Sequence, residues 1–320
     1  MTTPLKVLTA LLALGLSAQS LAQGCSDAGF CTMGAMRPDQ SYSKRIDFKL
    51  RSIEYNYYKG KSIISPVIRA HTIEFNASLG DLNTIQVKVP YMFVSGNFGK
   101  NNGLGDISLS FTRTLKTTNR GTLNGTLGTK IPADRSTDEI SNEFTGNQSV
   151  DLHMYYQTSL GSYDAIAGLS WITNEWLFAT GIQVALTENQ NQFQWSDWLD
   201  NYPDPDYVVR NNQGVNLKRG TDIMLRVERN FRFTNFNFSI GALPIYRITK
   251  DEAFVVDEGR RRKLDNTLGL ALSVLGSVGY SININNAVKF IYGYKLVDRD
   301  FNPDGLTRDD VQSISYIYRF

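Results

Sequence analysis

Hydrophobic and polar positions alternate with a period of two along most of the chain. Ile85, Val87, Val89, Tyr91 and Phe93 are apolar, and Gln86, Lys88 and Pro90 lie between them. Val150, Leu152, Met154 and Tyr156 alternate with Asp151, His153, Tyr155 and Gln157, and Trp176, Phe178, Thr180, Ile182, Val184 and Leu186 with Ala179, Gly181 and Gln183. Leu268, Leu270, Leu272 and Val274 alternate with Thr267, Gly269, Ala271 and Ser273. The chain ends on Ile314, Tyr316, Tyr318 and Phe320 set against Ser313, Ser315 and Arg319. Successive strand side chains point to opposite faces, so each segment presents one apolar face and one small or polar face. After residue 22 no stretch has helical period, and the pattern predicts an all-β chain.

The connections between these segments divide by length. Short ones fall at 80–83, 117–120, 161–162, 188–190, 230–233 and 283–286; longer ones lie near 59–65, 95–103, 132–146, 199–214, 250–263 and 298–309. Alternation of short turns and long loops is the habit of an antiparallel up-and-down transmembrane barrel, apolar outside and wet inside. A brief strand at 192–197 and a tight external turn at 173–175 bring the count to about fourteen, an even number; it becomes twelve if that strand and one neighbour are loop. In the first strand the apolar parity switches between Ile46, Phe48, Leu50 and Ile53, Tyr55, Tyr57, which predicts a bulge near Ser52.

The start of the chain decides between a membrane barrel and a soluble sandwich. Lys6, the apolar run from Val7 to Leu16 and the small residues around Ser20-Leu21-Ala22 read as a signal peptide spanning 1–22. A lipoprotein reading through Cys25 lacks the usual residues before the cysteine. No later stretch reaches the ~18 apolar residues of a helical span. The last strand resembles the C-terminal sorting signal of bacterial outer-membrane barrels, with Phe320 as its aromatic terminus. That resemblance implies an outer-membrane location, both termini in the periplasm, and contact with the lipid bilayer, lipopolysaccharide and the outer-membrane insertion machinery.

Composition adds exclusions. With a net charge of +2 and a single basic cluster, Arg260-Arg261-Arg262-Lys263, nucleic acid is not an expected partner. Cys25 and Cys31 are six positions apart after an export signal, so a disulfide is expected, since redox motifs use a shorter spacing and no histidine lies nearby.

The segment Asn102-Gly103-Leu104-Gly105-Asp106-Ile107-Ser108-Leu109-Ser110 resembles the Gly-Leu-Gly-Asp strand opening of outer-membrane barrels associated with the meta-pathway of phenol degradation. That family is related in turn to the long-chain fatty-acid channels. The resemblance implies a passive channel for hydrophobic or aromatic compounds. It would make residues 23–43 a plug inside a barrel formed by 44–320; a periplasmic tail stapled by the cysteines is the other reading.

Parity places Asp47, Lys49, Arg51, Glu74, Lys88, Asp106, Lys130, Asp151, Asp222, Arg226, Glu228, Lys289 and Lys295 in the lumen. Six acids against seven bases predict no marked ion selectivity, and read either as a structural lattice or as a solute path. His153 shares that face with Asp151 and Tyr155, yet no nucleophile stands beside it in sequence, so no enzymatic activity is expected. Asp298, Asp300, Asn302 and Asp304 match the first half of a calcium loop, but Val311 stands where a bidentate Glu belongs; an external Ca²⁺ site competes here with ordinary turn chemistry. No other cofactor is implied. The aromatic stretch 195–207 offers either a surface for apolar ligands or a partner, or a membrane-interface belt. Two functions remain open: a channel for small hydrophobic molecules, and a non-transporting barrel that serves as subunit or surface anchor of an envelope protein assembly.

Overall fold

The computed structural model describes residues 33, 48–61, 66–199, 202–210, 215–304 and 308–320. The expected signal peptide, the Cys25–Cys31 pair, Asp47 and all of 23–43 except Met33 lie outside them. In chain order the wall strands are β1 (Phe48–Lys61), β2 (Val67–Leu79), β3 (Asn83–Gly96), β4 (Gly99–Leu104), β5 (Ile107–Thr118), β6 (Gly121–Ile131) and β7 (Asp164–Ile172). They continue with β8 (Trp176–Ala185), β9 (Asp222–Arg232), β10 (Phe236–Arg247), β11 (Gly269–Ser281), β12 (Asn286–Val297) and β13 (Asp310–Arg319). Neighbours pair antiparallel throughout, and β1 pairs β13 from Ser52 opposite Arg319 to Lys61 opposite Asp310, which closes the barrel.

β4 and β5 pair end to end with the same strand, β3, so thirteen strands fill twelve positions in the wall. Twelve is the lower of the two expected counts, and the reason lies in two long connections. Residues 192–197 form no wall strand, and only Val150–Asp151 of the alternating run at 150–157 is extended, paired with Glu139–Ile140. Met154–Tyr156 is a 3-10 turn whose first N–H groups are capped by His153, Nδ1 accepting from Tyr155 N at 3.2 Å. Period two thus arose where apolar side chains face the lumen from a loop. The turn at 173–175 joins β7 to β8 at the same end as 80–82 and 119–120, not at the loop end.

The strand faces follow the alternation. Phe178, Leu225, Tyr280 and Tyr316 are exposed outward, whereas Leu177, Met224, Ser277 and Ser315 are buried inward. A continuous band of exposed Leu, Ile, Phe and Tyr around a closed wall is what lipid solvates and water does not. The pairing of β1 with β2 shifts between Leu50 and Ser52, the bulge that the parity switch implied.

The Gly-Leu-Gly-Asp segment marks the junction of β4 with β5. Pro90 of β3, which has no N–H to give, sits at the gap between the two ladders, and Gly105 N donates to its carbonyl at 2.9 Å. A Cβ on Gly105 would stand 2.7 Å from Met92 Sδ, so a larger residue there would have to displace the Met92 side chain. One end of the barrel therefore carries only tight turns. The other carries the connections 132–163, 186–221, 248–268 and 298–309.

Candidate functional site

The long connections fold into the mouth of the barrel. Phe98 lies at the centre of an aromatic cluster with ring centroids 5.4 Å from Tyr156, 5.7 Å from Phe193, 4.5 Å from Trp198 and 5.2 Å from Tyr202. These rings pack on inward wall residues Tyr58, Ile68, Val94 and Val311, so the loop end is corked by apolar burial. Trp198 is fully buried and Trp195 partly so against the same cluster. Trp198 and Tyr202 thus face the lumen, neither displayed to solvent nor laid in a membrane belt. Asn191 stitches the loops together, its Nδ2 donating to Ser136 O at 3.0 Å and Leu152 O at 2.8 Å.

Asp106 explains the charged end of the Gly-Leu-Gly-Asp segment. It points inward, pairs with Lys130 at 3.2 Å, and accepts from Ser159 Oγ at 2.6 Å and Leu160 N at 3.1 Å. A wall strand thereby clamps the 132–163 loop. A second clamp is Arg247, whose guanidinium reaches Asp222 at 2.7 Å, Asp251 at 2.7 Å and Asp304 at 2.8 Å with no exposed surface of its own. Arg219 pairs with Asp164 beside it, and Arg299 lies 3.7 Å from Asp222. Burial pushes the Asp251 carboxyl up, partly offset by Arg247. For Asp304 burial acts the same way, but Arg247, Arg299 and Arg219 overcome it and hold that carboxyl below the usual range.

Beneath the cork lies a chamber of ≈ 190 Å³. Tyr58, Met92, Met154, Tyr155, Ile291 and Val311 supply its apolar surface. Of the parity-assigned residues it gathers Glu74, Lys88, Asp106, Lys130, Arg226 and Lys289. Lys88 pairs with Glu74 at 3.2 Å, and Arg226 is bonded to Glu228. Arg51 lines a separate vestibule of ≈ 490 Å³ at the turn end. Lys49 is exposed at the start of β1, and Lys295 is held by Asp298 at 2.6 Å and Asp309 at 3.5 Å. Asp151 and His153 are not neighbours on a strand face: Asp151 accepts from Gln192 N at 2.7 Å, while the buried His153 ring stacks on Tyr155 at 4.8 Å.

Asp298, Asp300, Asn302 and Asp304 do not converge. Asp298 serves Lys295 and Asp304 serves Arg247, and among the described residues no group of three or more His, Cys, Asp or Glu could hold a metal ion. Sequence reasoning missed Glu54, Arg308 and the Arg247 network. Arg247 shares a parity with the inward Ser239 and Leu243, a signal that was present; the pairing of Asp304 with it was not.

Met33 is the one described residue of the N-terminal segment. It is fully buried inside the wall against Ile166, Leu177, Ala179, Met224, Leu243 and Leu275.

The fold is that of an outer-membrane β-barrel, the class to which the strand plan and the Asn102–Ser110 segment pointed. A crystal structure of an outer-membrane channel from Pseudomonas putida F1 aligns with a TM-score of 0.52 and 10% identity, over 88% of this chain and 99% of that one. The NanC porin aligns at a TM-score of 0.45 and 12% identity over 85% and 99%. The CymD monoaromatic hydrocarbon channel does so at 0.40 and 10% over 96% of both chains. No protein-family model matches the sequence, and no curated protein does.

Proposed function

We propose that the chain is a bacterial outer-membrane channel for passive uptake of small hydrophobic or aromatic compounds, with the turn end and both termini in the periplasm. The observation that carries this reading is the chamber, an enclosed space within a membrane barrel whose apolar surface comes from Tyr58, Met92, Met154, Tyr155, Ile291 and Val311. An apolar cavity of about 150 Å³ accommodates benzene, so ≈ 190 Å³ admits a single-ring molecule. The burial of Met33 among inward wall residues supports residues 23–43 acting as a plug in the lumen, with the aromatic cork closing the opposite end. His153, held by its cap and its stacking, is given a structural role in this reading. The Arg247 network supports the second function, a non-transporting barrel within an envelope assembly, because it braces loops across the lumen.

The test compares single-channel conductance and copurified small molecules for the full chain and for a chain lacking residues 23–43. Transport predicts a bound apolar compound in the first or a pore that opens in the second. A barrel silent and empty in both forms would favour the assembly role.

A further inference from the structure

The two cavities below the cork differ in charge. Four arginines, Arg51, Arg120, Arg232 and Arg319, line the turn-end vestibule, against Glu54 and Asp81. The rest of that lining is rich in Thr, Asn and Ser, including Thr112, Thr122 and Asn124. In the chamber, Lys88, Lys130, Arg226, Lys289 and Arg308 face Glu54, Glu74, Asp106 and Asp304. Taken together the two linings hold nine bases and five acids, Glu54 being common to both. Adding Glu228, the partner of Arg226, still leaves an excess of three. The near balance expected from strand parity fails because Arg120 lies in a turn, where alternation assigns no face, and because Arg232, which shares the inward parity of Asp222 to Asn230, and Arg319, which shares that of Ser313 and Ser315, were left out of the count.

Resting on the channel reading, we propose that the solute is a single-ring aromatic acid carried as its anion. Its ring matches the Tyr58, Met92, Met154 and Ile291 surface of the chamber, and its carboxylate matches the four arginines of the vestibule. A neutral hydrocarbon would use the first feature and gain nothing from the second. The lysines of the chamber are held by carboxylates, Lys88 by Glu74 and Lys130 by Asp106, so an incoming anion shares a cation already in place. Leaving the chamber toward the turn end, the anion meets guanidinium, hydroxyl and amide donors suited to a carboxylate. An excess of one sign of charge in a cleft raises the local concentration of the opposite ion, here by about tenfold, the low end of the effect, because Glu54 and Asp81 offset two of the four arginines.

The probes are benzoate and benzamide, which differ in charge and hardly in shape. The full chain and the chain lacking residues 23–43 are placed in planar bilayers under a KCl gradient. The expected reversal potential has the sign of chloride preference, and benzoate should interrupt the current at about a tenth of the benzamide concentration. The triple variant Arg120→Gln, Arg232→Gln, Arg319→Gln, checked for the folded barrel by its resistance to detergent unfolding, should bring the two probes close to parity. A pore that conducts but treats the probes alike, or a triple variant that keeps the benzoate preference, overturns the acid assignment and leaves the channel reading standing. Silence of both forms overturns the channel reading and this inference with it.

Discussion

Two arginine centres in this molecule use the same chemistry in opposite surroundings. Arg247 holds Asp222, Asp251 and Asp304 in the mouth of the barrel, where neither it nor Asp251 nor Asp304 has an exposed side chain. At the tip of the hairpin formed by Glu252–Val255 and Arg260–Lys263, Arg260 and Arg262 both reach Glu258 at 2.8 Å, and all three are open to water. The contact distances are alike, but the consequences are not. Water can replace either partner at the hairpin, whereas around Arg247 only the neighbouring Arg299 and Arg219 remain to offset three carboxylates. Burial, rather than contact geometry, makes one centre a brace for the loops and leaves the other a surface decoration.

Breaking the buried centre should have the largest effect. Arg247→Met removes the cation bonded to all three carboxylates, leaving only the more distant charges of Arg299 and Arg219, and is expected to cost about 3–5 kcal/mol, read from denaturant unfolding of the purified barrel. Adding Asp304→Asn should recover part of the loss. An unfolding midpoint that does not move would mean that solvent reaches the site.

A smaller effect is expected with pH. The Asp304 carboxyl is held below its unfolded value, so its contribution is complete above about pH 4 and is lost as pH falls through the lowered value. Asp251 is raised instead, so protonating it relieves strain as acid is added. The barrel should therefore hold its stability on mild acidification and lose it below about pH 4, with a flatter acid limb in Asp304→Asn. Equal limbs for the two proteins would break the assignment. At the exposed centre the prediction is of no change: Glu258→Gln should leave the unfolding transition where it was, and a measurable shift would erase the contrast.

The wall was legible in the sequence because alternation is a local property. Leu177 inward and Phe178 outward follow from order alone, as does the bulge at Leu50 to Ser52. The charged pairs across adjacent strands, Glu74 with Lys88 and Asp106 with Lys130, were readable as lumen residues by the same rule. The loops were not legible, because chain folded into the lumen buries residues of both parities, so an apolar residue at every second position is no sign of a strand there. Leu152, Met154 and Tyr156 are all buried as a strand pattern would ask, yet they sit in a capped turn beneath the cork. Asp304 was read as a calcium ligand because its spacing is that of a turn; its partner Arg247 lies 57 positions earlier, a distance at which pattern carries no information.

The burial of Met33 bears on the order of assembly. Its partners Ile166, Leu177, Met224, Leu243 and Leu275 come from β7 to β11, five consecutive wall strands that all lie beyond residue 163. Although residue 33 emerges before any strand, its native surroundings do not exist until the far half of the barrel has been made. Contacts of such long sequence separation are rewarded only after the intervening chain has been ordered. The earliest part of the lumen to be synthesised is therefore among the last to find its place, and a reactive group at position 33 would report when the barrel is finished.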